Sequence, residues 1–449
     1  MNYLLTLGIL DKAQKMLEKH PLCDRCLGRQ FALLGYGVDN ENRGQALKLL
    51  LTIQAHEAAL LKDRNGLALL GTLASNGNYN MANDILKRMK NKTVEAKLCH
   101  LCQERLMSAE QLTRIALNKL EEYEYSTVLV GVELPIEAEE REDEFKAEFT
   151  IAHGESLRNE FSRTIGKRIA EASGKRIDFE RPDMVVLINP WTEHVSLQVN
   201  PIHIGGRYRK LVRDIPQSRW FCKNCRGKGC KQCNWTGRKY PDSIEEIIGN
   251  PAVNMAQGKE FSFHGAGRED VDARMLGSGR PFVIEVKKPK KRRIDLEGLE
   301  KIINSGAEGK VEVSKLCFAN KDFVRKLKRG DEAQKLYRAT AEADKPISQR
   351  QLTTLKKALT NVNVKQQTPK RVAYCRADLM REKYIYKANV KRLTPKRFEL
   401  EIRCQGGLYI KELITGDDGR TVPNVTQILG AKTIPIELDV LGVYITEEK

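Results

Sequence analysis

The sequence predicts a multidomain α+β protein, and three observations carry that expectation. Residues 1–125 repeat apolar side chains at three- and four-residue spacing, as in TLGILDKAQKMLEKH and NRGQALKLLLTIQAHEAALL, which is helical periodicity. From about residue 148 the pattern becomes mixed, with a long basic amphipathic helix followed by the strand-like runs DMVVLINP and HVSLQVNP. Beyond residue 245 strands multiply, FVIEV among them, interspersed with helices such as LEGLEKII. The expected division is 1–125, a helical region; 126–244, an α+β accessory domain; and 245–449, a mixed-sheet domain.

Composition narrows the partners. The chain of 449 residues is 41% apolar and 30% charged, enough for real cores in a soluble protein. Its net charge is +18, with a pI near 9.3. Such an excess favours a polyanion, nucleic acid ahead of an anionic membrane. The opening MNYLLTLGIL is too short to span a bilayer and runs into Asp11 and Lys12, so it reads as the start of an amphipathic helix. No membrane partner is expected, and the compartment is expected to be the cytoplasm.

Eight of the eleven cysteines form four CxxC pairs, leaving Cys317, Cys375 and Cys404 over. In a reducing compartment such pairs point to metal ahead of disulfides. Cys23 and Cys26 are separated from Cys99 and Cys102 by 72 residues, so the helices between would be an insertion into one four-thiolate site. His100 is a bystander on this reading, because four thiolates close a tetrahedron. Cys222, Cys225, Cys230 and Cys233 form a compact CxxC-x4-CxxC knuckle whose glycines let the backbone fold around one ion.

Between these groups, ELPIEAEEREDEFK (133–146) is acidic and contains proline, which predicts a solvated linker. ESLRNEFSRTIGKRIAEASGK predicts a helix closed by Gly174. In IGGRYRKLVRDIPQSRW, Arg207, Arg209, Lys210, Arg213 and Arg219 interleave with Tyr208 and Trp220, a pattern that suits phosphate contacts and base stacking. Lys290, Lys291, Arg292 and Arg293 in KKPKKRR form a second candidate surface for an RNA backbone.

Three stretches carry candidate chemistry. HGAGREDVDARMLGSGRPFVIEV (264–286) reads as a glycine-flanked loop that presents Asp270 near Arg268 and returns into a strand. A carboxylate beside a guanidinium is favoured in its charged form and can act as nucleophile or base. KLYRA contains Lys335, Tyr337 and Arg338. ELEIRCQGGLYIKELITGDDGR reads as a strand, a glycine turn and a helix beginning near Leu408 and carrying Lys411.

GREDVDARM resembles the catalytic loop of pseudouridine synthases, comparable to the GRTDAGVHA loop of the TruA family. KLYRA is similar to the KxYR motif, and CQGGLYIKEL to the C-x-x-G-T-Y-I-R-x-L motif, both of the TruB family. With the amino-terminal CxxC pairs, the whole chain resembles the family of tRNA pseudouridine synthases, shared by archaea and eukaryotes, that modifies uridines 54 and 55 of the T-loop. The CxxC-x4-CxxC knuckle points to its archaeal branch. The resemblance implies a THUMP-like RNA-binding domain within 126–244 and the synthase domain at 245–449. It makes Asp270 the catalytic aspartate, with Lys411 its ion-pair partner and Tyr337 stacked on the target base. Arg268 would displace or replace the flipped uridine, while Tyr409, Ile410 and Leu438 would line its pocket. It implies a cytoplasmic monomer acting on the tRNA T-arm, with two structural zinc ions and no organic cofactor. Two departures stand out: Glu269 replaces a threonine, and Lys411 stands where relatives often carry arginine, losing a bidentate fork.

The competing reading is a non-catalytic zinc-containing RNA-binding or tRNA-folding protein, which would tolerate loss of Asp270. A THUMP-bearing methyltransferase or thiolation enzyme would need a glycine-rich cofactor loop or an SGGxDS-like ATP loop, and the sequence has neither.

Overall fold

The computed structural model describes residues 8–328, 333–374 and 376–444. Cys375 and the first seven residues of the expected amino-terminal helix lie outside them. The chain divides into two compact units, Met1–Asn200 and Pro201–Lys449.

The first unit begins with the expected helices, among them Ile9–Lys19, Asn40–Leu60, Arg64–Ser75 and Ala109–Leu120. Asp39 and Asp63 cap two of them by accepting backbone N–H bonds from Asn42 and Asn65. A four-stranded sheet follows, in the order Arg176–Ile177, Thr127–Val132, Met184–Asn189, His194–Val199. Its first two pairings are parallel and the last is antiparallel. Helix Leu157–Ser173 packs on this sheet; Ser156 caps its start, and Gly174 closes it at φ 65°.

The acidic stretch is not a linker. Residues Ile136–Glu148 form a helix preceded by Pro135, with Glu137 and Glu139 in the first turn, where the helix dipole favours negative charge. Ala138, Glu142 and Phe145 make a buried stripe at helical spacing. The Glu142 carboxylate accepts from the Leu157 backbone N–H and pairs with the fully buried Arg29. A charge-dense segment therefore hid one packed face.

The second unit is built on a ten-stranded sheet. Its order is Thr421–Val422, Val362–Gln367, Met380–Arg392, Arg397–Gln405, Gln334–Ala343, Thr433–Tyr444, Arg274–Lys287, Ile202–Lys210, Val311–Ala319. Strand Glu260–Gly265 pairs with Arg274–Lys287 off this path. Every pairing is antiparallel except that of Thr433–Tyr444 with Arg274–Lys287.

The expected boundary at 244 thus differs from the observed one at 200. Strand Ile202–Lys210 lies between two strands of the large sheet, so the knuckle that follows it belongs to the second unit. Inside IGGRYRK the strand period decides the burial: Ile204, Tyr208 and Lys210 face inward with at most 1% exposure. A Cβ at Gly206 would meet Leu316 at 2.6 Å, so the adjacent glycine permits this close packing.

Candidate functional site

The Asp270 loop spans residues 266–273, between strands Glu260–Gly265 and Arg274–Lys287. It is held from beneath. Glu269 turns inward and forms an ion pair with Arg280 at 2.9 Å, both side chains being 1% exposed. The Tyr208 hydroxyl donates to Glu269 Oε2 at 2.9 Å, and burial with the Glu269 charge pushes that hydroxyl well above its ordinary pKa. It therefore remains a donor. Gln217 Nε2 donates to the Tyr208 oxygen (2.8 Å) and to the Gly267 carbonyl (3.0 Å). Arg280 Nη1 donates to Ala266 O at 2.6 Å. Lys210 Nζ donates to Val271 O at 2.6 Å; burial pushes its pKa down to about 8 against the pull of Glu269. Gly267 sits at φ 79°, and a Cβ there would lie 3.1 Å from Lys335 Nζ. Inward contacts fix the backbone and leave the Asp270 carboxylate, 34% exposed, facing outward.

The sheet brings the other motifs to this loop. Arg274 and Met275 run parallel to Asp439 and Val440, so Leu438 lies directly beside the loop's exit. Tyr337 stands opposite Val440 on one side and Ile402 on the other. Strand Arg397–Gln405 then leads through Gly407, at φ 91°, into helix Ile410–Thr415. The helix starts two residues later than the sequence suggests. Tyr409 is extended, with its N–H and C=O both bonded to the buried amide of Gln366 (2.8 and 3.0 Å).

These elements enclose a cavity of about 630 Å³, within the range of small-ligand sites. Asp270, Arg268, Tyr337, Tyr409, Ile410, Lys411 and Leu438 all line it. Lys411 Nζ lies 3.3 Å from Asp270 Oδ2. Its shorter contacts, 2.8 and 2.7 Å, go to both oxygens of Asp272. Burial raises the Asp272 pKa, but the Lys411 ammonium outweighs it and holds the carboxyl below its usual range. The guanidinium beside Asp270 is not Arg268. That side chain stacks over Trp220, 5.6 Å from the ring centre. The pairing group is Arg371, whose Nη2 is 3.3 Å from Oδ2. Sequence reasoning missed Arg371; its only signal was the density of cations in QQTPKRVAYCRADLMREKYIY. Lys335, Arg376, Arg381 and Lys383 also line the cavity. Among the described lining residues, Lys and Arg outnumber Asp and Glu eight to two.

The other candidate cations lie away from this cavity. Arg207 donates to the carbonyls of Ser278 (2.6 Å), Gly279 (3.0 Å) and Val443 (2.8 Å), clasping backbone instead of facing a ligand. Arg209 pairs with Glu312. Arg213 binds the Asp272 and Leu438 carbonyls (2.7 and 2.9 Å). The interleaved pattern therefore builds the loop's support, because strand alternation turns half of it inward. Lys290, Lys291 and Arg293 are exposed and Arg292 is half-buried, in a segment anchored by backbone N–H bonds to Ala256 O.

Both cysteine groups converge. Cys23, Cys26, Cys99 and Cys102 meet within the first unit, and Cys222, Cys225, Cys230 and Cys233 within the second; in each set all four sulfurs lie within 4.8 Å of one another. The Cys23–Cys102 and Cys230–Cys233 sulfurs are 3.7 Å apart. Thiolates around one tetrahedral ion with bonds of about 2.3 Å would be roughly 3.8 Å apart. Backbone N–H groups of Gly229 and Gly237 point at Cys225 and Cys233 sulfurs (both 3.2 Å), the donors that a metal-bound thiolate needs. Either set can hold a metal ion. His100 belongs to neither group and stacks on His20, ring centres 4.4 Å apart.

Comparison with known proteins agrees with this architecture. The family model described as "Pus10, C-terminal" matches residues 203–444, and "Pus10 THUMP domain, archaeal" matches residues 112–189. The tRNA pseudouridine synthase Pus10 of Methanocaldococcus jannaschii is 45% identical, over 96% of this chain and 93% of its own. That of Methanothrix thermoacetophila is 38% identical over 97% and 94%, and that of Thermofilum pendens 37% over 97% and 95%. The chain therefore belongs to the Pus10 family of tRNA pseudouridine synthases.

Proposed function

We propose that this protein isomerises uridine to pseudouridine in the T-loop of tRNA, at position 54, position 55 or both, as a cytoplasmic monomer. The observation that carries the reading is Asp270 held between two cations on the wall of a cation-lined cavity that also contains Tyr337. A uridine in a folded tRNA must leave its stack to reach Asp270. Tyr337 offers the ring that packs on the extruded base, while Ile410 and Leu438, 3% and 8% exposed, close the apolar side of the pocket. Arg268, exposed beside Trp220, can occupy the space the base leaves. Asp270 then displaces N1 from C1′ as a covalent ester, or removes the 2′ proton to leave a glycal; in either case the N1–C1′ bond breaks and its electron pair stays on the base. The base turns and C5 bonds to C1′, which breaks the Asp270 ester or accompanies return of the 2′ proton; the C5 proton is then lost to restore the ring, and N1 gains one. No electron is gained or lost overall. Tyr409 supports the pocket edge, and Lys290, Lys291, Arg292 and Arg293 supply contacts to RNA phosphates. Arg207, whose guanidinium is taken up by three backbone carbonyls, is left out of the RNA surface, whereas Arg209, in an exposed pair with Glu312, stays a candidate phosphate contact.

Both cysteine groups bind Zn²⁺ structurally on this reading, since four thiolates leave no open coordination position. Elemental analysis of protein never exposed to chelator should find about two zinc ions per chain. One ion or none would remove a site. The functional reading is tested by incubating the protein with an unmodified tRNA transcript and mapping pseudouridine. Product at position 54 or 55 is expected; product only elsewhere, or none, contradicts the reading.

A further inference from the structure

We infer that Arg371 is the second counter-ion of Asp270 and positions its carboxylate, supplying from a separate segment the fork that lysine at position 411 cannot. The inference rests on the synthase reading above. Arg371 meets Asp270 end-on, with Nη2 3.3 Å from Oδ2 and Nη1 donating to Oδ1 at 3.4 Å. Two contacts, one to each oxygen of the carboxylate, constrain its orientation as well as its charge. Lys411 cannot do so. Its ammonium is a point charge shared between two carboxylates, and its shortest contacts go to Asp272, at 2.7 and 2.8 Å.

Arg371 is itself held. Its Nε donates to Glu412 Oε1 at 2.6 Å, and Glu412 is only 5% exposed. Its guanidinium carbon lies 5.9 Å from the centre of the Tyr409 ring. The short turn Lys370–Val372 that carries it is tied down by the Lys370 N–H, which donates to Asp417 Oδ2 at 3.1 Å. Glu412 follows Lys411 on one helix, so that helix places one cation directly and the other through a buried carboxylate. The two counter-ions of Asp270 thus share a single mount.

The test is the single-turnover rate of pseudouridine formation on unmodified tRNA at saturating protein, with tRNA affinity measured in parallel. Arg371→Met should lower the rate about 100-fold or more, the usual cost of losing one preorganised donor to a reacting group. Affinity should stay within about threefold, because the contact is to Asp270 and not to phosphate. Arg371→Lys should fall between. The exchange Arg371→Lys with Lys411→Arg should recover about tenfold over Arg371→Lys alone, since it returns a fork to the carboxylate. Glu412→Gln, which preserves shape, should lower the rate by releasing Arg371 and serves if the methionine variant fails to fold. Unchanged rates in Arg371→Met, or in Glu412→Gln where it is the folded variant, would overturn the inference. So would a loss confined to tRNA affinity, which would make Arg371 a phosphate contact. Wild-type protein is the control: no turnover there sinks the synthase reading, whereas wild-type turnover with unaffected variants sinks only this inference.

Discussion

Asp270→Asn is expected to reduce pseudouridine formation by at least about 10³-fold while leaving tRNA affinity close to that of the wild type. Asparagine is nearly isosteric, so the loop keeps its anchors: Glu269 on Arg280, Gln217 on Gly267 and Lys210 on Val271. None of these involves the Asp270 side chain. What disappears is the carboxylate able to attack C1′ or take a proton. Asp272→Asn is the comparison. Asp272 lies two residues on in the same loop, and its carboxylate makes the shortest contacts to Lys411. Its replacement should cost about tenfold by loosening Lys411, well short of the loss at position 270. Equal activity in Asp270→Asn and wild type would remove the active-site assignment.

Glu269→Ala should destabilise the folded protein by about 3–5 kcal/mol, because it leaves the Arg280 guanidinium buried without its counter-ion. Arg280 and Glu269 side chains are each 1% exposed, and the Tyr208 hydroxyl loses its acceptor in the same step. The loss reads as a fall in the urea midpoint of the second unit's transition. Glu269→Gln should cost less, since it keeps an acceptor for Tyr208. Replacing both partners, Glu269→Leu with Arg280→Met, should recover much of the stability, because two apolar groups leave no unpaired charge. A midpoint unmoved by Glu269→Ala would show that the pair does not anchor the loop. Glu269, the residue before Asp270, is therefore half of a buried ion pair that supports the loop.

How much of this was legible in the sequence varied with the physics of each segment. Helix Leu157–Ser173 was legible because Ser156 and Gly174 mark its ends. The CxxC pairs were legible because thiolate chemistry imposes its own spacing, even across the 72 residues between Cys26 and Cys99. Helix Ile136–Glu148 was missed because its composition is dominated by its solvated face, while Ala138 and Phe145 are too few to show a period. The boundary was missed because a strand rich in arginine looks like surface. Tyr208 and Lys210 are instead fully buried under the Asp270 loop. Arg371 and Arg280 were missed because their partners, Asp270 and Glu269, lie 101 and 11 residues away along the chain, and only the folded sheet pairs them.

The most direct test of the central claim follows the hydrogen at C5 of the target uridine. Forming the C5–C1′ bond must expel it, whichever route Asp270 takes. With tRNA tritiated at uridine C5, wild-type protein should release tritium to water in step with pseudouridine formed at position 54 or 55, and Asp270→Asn, bound to the same tRNA, should release none. Tritium release by Asp270→Asn at the wild-type rate would contradict the account.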